Sequence, residues 1–323
     1  MIQTFRAKNF GCLLDVEATL TPLHAFIGPN DSGKSTILHG LWTLVQFARR
    51  RSFRDHEEAL AAFDAYAASD GVLACMVDAH EFQVRAPLQR TPHQPTPALV
   101  DELHGARLVR LDPDALRKPS GLIPETGSID FLDDRGHGLA GIFFAIRNRN
   151  DDAFAAIVAD VRKHFPTIKN LRVKAVTSSE VTLEAELIGG ARIESKRFSE
   201  GLLYYLAFAA LRHLDPVSLL LVEEPENGLH PARIAEVVRI LRAIVEESGT
   251  QVVMATHSPL VVNELRPEEV SVVTRTATEG TRVKRIQDTP DFEERFKVYA
   301  LGELWIAYAN GEDEAPLLQG TEP

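Results

Sequence analysis

The apolar residues near the start of the chain fall into strand-sized groups. Met1 to Lys8 and Leu13 to Leu20 read as strands, and the apolar run Leu23 to Ile27 leads into a glycine-rich stretch. From Ser35 to Arg50 the period changes: Ile37, Leu38, Leu41, Leu44 and Val45 recur at helical spacing. Residues 51 to 130 are less regular, with a proline-rich stretch from Pro87 to Pro97 that reads as loop and a strand near Ala106 to Leu111. Leu139 to Phe165 reads as helical. Leu171 to Val176, Val181 to Leu187 and Arg192 to Phe198 then alternate like a strand meander, with Gly189-Gly190 as a turn. The last third alternates helix and strand through Gly201 to His213, Ser218 to Val222, Pro231 to Glu247 and Gln251 to Ala255, which predicts a mostly parallel sheet covered by helices. In the third of these, Pro231 suits a first helical position, and Ile234, Val237, Val238, Leu241, Ile244 and Val245 share one face that reads as core.

At 323 residues and 45% hydrophobic content the chain is long enough for one large domain or two modest ones. Its longest apolar stretches are strand-sized, so no membrane span is expected, and the N-terminus lacks the regions of a signal peptide, which points to the cytoplasm. Two cysteines, Cys12 and Cys75, make neither a disulfide framework nor a Cys-rich zinc site and read as small buried hydrophobes. A net charge of −11 excludes a generally basic surface and confines any nucleic-acid contact to local patches. The candidates are Arg49, Arg50, Arg51 and Arg54, and the group Arg162, Lys163, Lys169, Arg172 and Lys174. Solvated helix ends and strand faces produce the same pattern.

Gly28-Pro29-Asn30-Asp31-Ser32-Gly33-Lys34-Ser35 satisfies G-x-x-x-x-G-K-[ST] between an expected strand and an expected helix. A chance match in a chain of this length is on the order of one in a hundred before that context is required. The glycines permit a tight loop with N–H groups turned inward, and the positive end of the next helix favours the same anion. Lys34 is expected to reach the β- and γ-phosphates of ATP, and the Ser35 hydroxyl to bind Mg²⁺, with Thr36 completing the run of contacts. Ser218 to Val222, read as a strand buried on both faces, ends in Glu223-Glu224. In a phosphate-loop protein, carboxylates there serve the metal and the attacking water, so Glu223 is assigned to the Mg²⁺ shell and Glu224 to the water.

Glu223-Glu224-Pro225-Glu226-Asn227-Gly228-Leu229-His230-Pro231 and Ala255-Thr256-His257-Ser258-Pro259 resemble the ABC-type ATPase heads of the SMC, Rad50 and RecF class. They are similar in particular to the stand-alone AAA-family, ATP-binding-cassette-like ATPases, a group that includes the heads of OLD-family nucleases. The resemblance covers roughly residues 1–50, the lobe of the phosphate loop, and 105–310, leaving a family-variable insertion at about 51–105 in a single head. It implies an α/β P-loop NTPase with a mixed sheet, flanking helices and the antiparallel meander. It also makes Phe198-Ser199-Glu200-Gly201 the signature motif, so that Ser199, Glu200 and Gly201 close over the γ-phosphate of a partner protomer. A serine cap with free first-turn N–H groups is consistent with that role, although an ordinary N-cap has the same string. By the same resemblance His257 is the switch histidine at the γ-phosphate, and Asn227 to His230 is the loop through which two heads communicate.

Several positions depart from the family pattern. Gly11 follows Asn9-Phe10 where many relatives place a nucleotide-contacting arginine, which leaves Arg6 or Lys8 as replacements. Glu223 stands where aspartate is usual, and Mg²⁺ binding through a water tolerates the longer arm. The glutamine that links the ATP site to an attached module has three candidates, Gln46, Gln83 and Gln89. No heptad run marks a coiled-coil arm, no Cys-x-x-Cys marks a hook, and the stretch after Arg275 is too short to be expected to hold a nuclease domain. The expectation is therefore an ATP-bridged homodimer that hydrolyses ATP, in DNA maintenance or phage defence, with DNA and a separate effector or nuclease as candidate partners. The alternative from the binding class is a nucleotide-gated clamp or sensor with little turnover. A transporter ATPase subunit is disfavoured because Ser199-Glu200-Gly201 lacks the second glycine and glutamine usual there.

Overall fold

A computed structural model describes residues 1–49, 61, 63–64, 66–78, 80–86, 97–276, 280–289 and 291–309. It divides into two compact units. The first comprises Met1–Leu108, Val217–Pro225 and the described residues from Val245 onward, and the second comprises Val109–Pro216 and Glu226–Ile244.

In chain order the strands are β1 (Ile2–Phe10), β2 (Leu13–Thr19), β3 (Leu23–Ile27), β4 (Ala67–Val77), β5 (His80–Arg85), β6 (Ala106–Val109), β7 (Ser120–Gly121), β8 (Ile168–Ala175), β9 (Glu180–Leu187), β10 (Arg192–Glu194), β11 (Leu219–Glu223), β12 (Gln251–Thr256), β13 (Val270–Thr276) and β14 (Gly280–Arg285). The first unit holds two sheets. One is antiparallel in the order β2-β1-β4-β5, and the other is mixed, in the order β14-β13-β3-β12-β11-β6. In the mixed sheet β13, β3, β12 and β11 run parallel and β14 closes one edge antiparallel. β3, β11 and β12 are buried along their whole length, which is why each reads as a nearly continuous apolar run, whereas Ile2, Phe5, Ala7 and Phe10 of β1 are buried and Arg6 and Lys8 are not. The helix Lys34–Arg49 contributes Ile37, Leu38, Leu41, Leu44, Val45 and Phe47 to one core shared with Phe5 and Phe10 of β1, Leu73 of β4, Phe26 of β3, Val253 of β12 and Val273 of β13.

The segment expected as a variable insertion thus supplies β4 and β5, with β4 paired directly to β1 along its length. The stretch 87–96 and the arginines 50, 51 and 54 lie outside the described residues, as does the side chain of Arg49.

In the second unit β9 pairs with β8, β10 and β7, all antiparallel. Its third meander strand is shorter than expected, because β10 stops at Glu194 and Ser195–Arg197 form a 3₁₀ turn. The helical stretch 139–165 is two helices, Leu139–Arg149 and Asp151–His164. Asn150, at φ −152°, ends the first and caps the second, its side chain accepting from the Ala153 N–H, with Asp151 and Asp152 in the new first turn. An Asx cap with acidic followers competes successfully with helix continuation there.

His24 is fully buried in β3, between the Thr21 hydroxyl at 3.2 Å and the Ser271 hydroxyl at 3.1 Å. Burial, followed by the nearby Arg285 charge, lowers its pKa from 6.5 to about 3. Between those values the unfolded chain takes up a proton that the native one refuses, so this contribution is intact above pH 6.5 and is lost as the pH falls towards 3. From pH 7.5 to 5 it amounts to about 2 kcal/mol. Urea unfolding of His24→Asn over that range is expected to show a smaller acid loss than the native chain by about that amount. Equal slopes would place the acid sensitivity elsewhere.

Candidate functional site

The phosphate loop joins β3 to the helix Lys34–Arg49, and two of its glycines are dictated by close packing. A Cβ on Gly28 would lie 2.1 Å from the Val273 carbonyl oxygen. Gly33, at φ +106°, would place one 2.5 Å from Thr281 Oγ1 and 2.9 Å from Cys12 Sγ. Thr281, fully buried on β14, donates to the Ser32 carbonyl at 2.8 Å and so pins the loop from the sheet edge. Lys34 is buried, and its ammonium donates to the carbonyls of Gly28 at 2.8 Å and Pro29 at 2.6 Å.

Register sets the rest of the site. Ile27 is level with Thr256, and Glu223 with Ala255, so the loop, His257 and Glu224 all emerge from the carboxyl ends of adjacent parallel strands. Ligands bind at that edge in open α/β sheets. Glu223 is buried at the end of β11. Glu224 turns out of the strand in the left-handed region, at φ +46°, with its N–H donating to the Ala255 carbonyl at 2.8 Å. That turn brings Glu224 Oε1 to 3.5 Å from Nδ1 of His257, and the two side chains are 39% and 47% exposed, open to a ligand. A glutamate held at positive φ costs on the order of 1–3 kcal/mol, a strain often found at active sites. The Thr256 hydroxyl accepts from the Ser258 N–H at 2.9 Å and fixes the turn that carries His257.

The residues present fit a magnesium nucleotide. Ser32 Oγ is buried in the loop with no hydrogen-bond partner, as a donor reserved for a ligand would be. Ser35 is exposed at the second position of its helix. Among the described residues no cluster of three His, Cys, Asp or Glu side chains could hold a metal by itself. A hydroxyl and a carboxylate that share Mg²⁺ with phosphate oxygens need no such cluster.

The residues expected to form the signature motif lie in the second unit. Ser199 is the N-cap of the helix Glu200–Leu211, its Oγ accepting from the Leu202 N–H at 3.4 Å, and Ser199 and Glu200 are exposed. A Cβ on Gly201 would lie 3.1 Å from the Gly228 carbonyl, and one on Gly228, at φ +65°, would lie 2.3 Å from the Tyr204 ring. At Gly228 the loop Asn227 to His230 therefore packs against the helix Glu200–Leu211, ahead of the helix Pro231–Ser248.

Other candidates stand differently. Arg6, a candidate replacement for the missing arginine, pairs on the exposed face of β1 with Glu17 through hydrogen bonds of 2.9 and 3.2 Å. Of the basic group, Lys169 and Arg172 pair with Glu186 at 2.7 and 2.9 Å, and Lys174 pairs with Glu194 at 2.8 Å. Lys174 and Lys196 hold the Glu194 carboxyl down at about 2. This face is a ladder of opposite charges rather than a basic strip. Gln83 accepts from Arg85 on β5, Gln46 is half-buried on its helix, and Gln89 lies outside the described residues. Sequence reasoning missed Thr281 and Arg275, which reach the loop from the distant strands β14 and β13 with no local pattern to mark them. It also missed Cys12, which is half-buried in the turn between β1 and β2 rather than a buried hydrophobe, with its Sγ 3.5 Å from Thr36 Oγ1.

Residues 91–263, more than half of the chain, match the family model described as "AAA domain, putative AbiEii toxin, Type IV TA system". The chain belongs to this AAA-domain family. Residues 1–84 match a second model, "AAA ATPase domain". The chain is also similar to the OLD nuclease of Thermus scotoductus, at 23% identity over 89% of this chain and 65% of the nuclease, so it spans a little under two thirds of that protein's length. Among solved structures it resembles an SMC head bound to the C-terminal winged-helix domain of ScpA, with a TM-score of 0.58 and 16% identity over 88% of this chain and 97% of that one. It also resembles the Pyrococcus furiosus SMC head with an extended coiled coil bound to the C-terminal domain of ScpA, with a TM-score of 0.53 and 13% identity over 94% and 99%. The AAA-domain chain thus has the ABC-type, SMC-like ATPase head fold expected from its motifs. No helix among its described residues is long and apolar enough to cross a membrane.

Proposed function

We propose that this AAA-domain protein binds Mg²⁺ and ATP at the Gly28–Thr36 loop, hydrolyses ATP, and does so as an ATP-bridged homodimer. The observation that carries the reading is the Glu224–His257 pair at 3.5 Å, held on the strand ends beside the phosphate loop. In this reading Lys34 neutralises the β- and γ-phosphates, Ser32 and the loop N–H groups donate to them, and Ser35 and Glu223 hold the metal. Bound Mg²⁺ would offset charge on the phosphate oxygens. Glu224 orients the attacking water and takes its proton, and His257 donates to the γ-phosphate while its other ring nitrogen faces the glutamate.

Ser199, Glu200 and Gly201 supply a second anion site. The capped N-terminus of Glu200–Leu211 has first-turn N–H groups to offer, and a partner protomer's γ-phosphate is the ligand it suits. Work on DNA or in phage defence, with a separate effector, is the setting we favour in the cytoplasm. The similarity to an OLD nuclease supports it. The second reading, a nucleotide-gated clamp with little turnover, is favoured by the exposure of both Glu224 and His257 in the isolated chain.

A phosphate-release assay separates the two. The ATPase reading expects Mg²⁺-dependent turnover that EDTA abolishes and that Ser199→Arg, by bulk at the contact, lowers at least tenfold while ATP still binds. Absence of turnover with and without DNA, together with intact ATP binding, would leave the clamp.

A further inference from the structure

Asp31 places a carboxylate on the phosphate loop itself. It sits in the left-handed region at φ +65°, and its side chain is 91% exposed. A negative charge there opposes the triphosphate the loop is proposed to hold. β13 runs parallel beside β3 with Val272 opposite Ile27, then continues to Thr276, so it passes the end of β3 and flanks the loop. From that extension Arg275 donates through Nη1 to Asp31 Oδ1 at 3.1 Å and, at 3.4 Å, to the Asp31 carbonyl oxygen. Lys34, the other cation at the loop, is bound to Gly28 and Pro29 rather than to Asp31.

We propose that Arg275 is a positioning residue that neutralises Asp31 and so sets the affinity of the loop for phosphate. This rests on the reading of the loop as the ATP site. As an exposed ion pair it adds little to folding, since water screens both partners and two long side chains lose freedom. Its effect on a ligand is different, because every charge on a bound polyphosphate meets Asp31 either bare or compensated. The guanidinium also ties the loop at its left-handed residue, which limits the conformations the loop samples when empty.

The test is a double-mutant cycle on the full chain. Binding of the slowly hydrolysed analogue ATPγS, of ADP and of AMP is measured by calorimetry with Mg²⁺ at low and high salt. Arg275→Ala is expected to weaken ATPγS binding about tenfold in low salt and by no more than about twofold in 0.5 M salt, with smaller losses for ADP and AMP in order of charge. Asp31→Asn is expected to strengthen binding about threefold, and Arg275→Ala with Asp31→Asn to return within about threefold of the native chain. A double variant as weak as Arg275→Ala alone would mean that Arg275 contacts the nucleotide directly and would overturn the proposal. A loss independent of salt and ligand charge would reduce Arg275 to a structural brace and overturn it as well. If the native chain binds no nucleotide, or Lys34→Ala binds as well as native, the ATP-site reading itself fails; native binding with Arg275→Ala neutral rejects this inference alone.

Discussion

Glu224→Gln is expected to bind ATP with near-native affinity and to hydrolyse it about a hundredfold to ten-thousandfold more slowly. The amide keeps the size of the side chain and an acceptor oxygen but gives up the charge that orients water and receives its proton. Removing a general base of this kind typically costs 10²–10⁴-fold. In the proposed mechanism the loss belongs to Glu224 rather than Glu223. Glu223 is buried within β11, whereas Glu224 has left the strand at φ +46° and stands half-exposed against His257. Single-turnover measurements on both glutamine variants decide the matter: Glu223→Gln should chiefly weaken the Mg²⁺ dependence, while Glu224→Gln should lower the chemical step at saturating metal. The reverse pattern would exchange the two roles.

Lys34→Ala is expected to weaken ATP binding at least a hundredfold. Charge-assisted hydrogen bonds contribute roughly 1.5–3 kcal/mol each, and this ammonium makes two contacts inside the loop that are positioned for transfer to phosphate. Removing it also takes the ammonium donor from the Gly28 carbonyl and leaves the Pro29 carbonyl only the Ser32 N–H at 3.4 Å, so the loop loses shape as well as charge. Calorimetric titration with ATP and Mg²⁺ checks this, and unchanged affinity would remove the loop from the nucleotide site.

The parts of this site that were legible in the sequence are those whose chemistry is local. The loop is one contiguous string, as are the acidic strand end and the histidine turn. Each sits at the end of a short apolar run that burial on both faces enforces. The cap at Ser199 was legible for the same reason, since a cap and the N–H it accepts from are three residues apart.

What braces the loop was not legible. Thr281 and Arg275 act on Ser32 and Asp31 across separations of 249 and 244 residues, and only the pairing of β13 and β14 onto β3 brings them there. β4 was obscured by polar residues at its start, including Asp70, which the Asn9 side-chain amide engages at 2.9 Å. The break at Asn150 was hidden because apolar residues continue at helical spacing on both sides, and only the cap contact to Ala153 reveals it. The basic residues of β8 read as a patch because their partners lie on other strands, Glu186 on the adjacent β9 and Glu194 on β10 beyond it.

In the proposed dimer one triphosphate is gripped by two faces, the loop of one protomer and the Ser199 helix end of another. The measurement that tests this most directly is the solution mass of Glu224→Gln by light scattering with ATP, with ADP and without nucleotide. A dimer with ATP alone, abolished by adding Ser199→Arg while ATP binding persists, is the predicted result. The same mass in all three conditions, unaffected by Ser199→Arg, would contradict it.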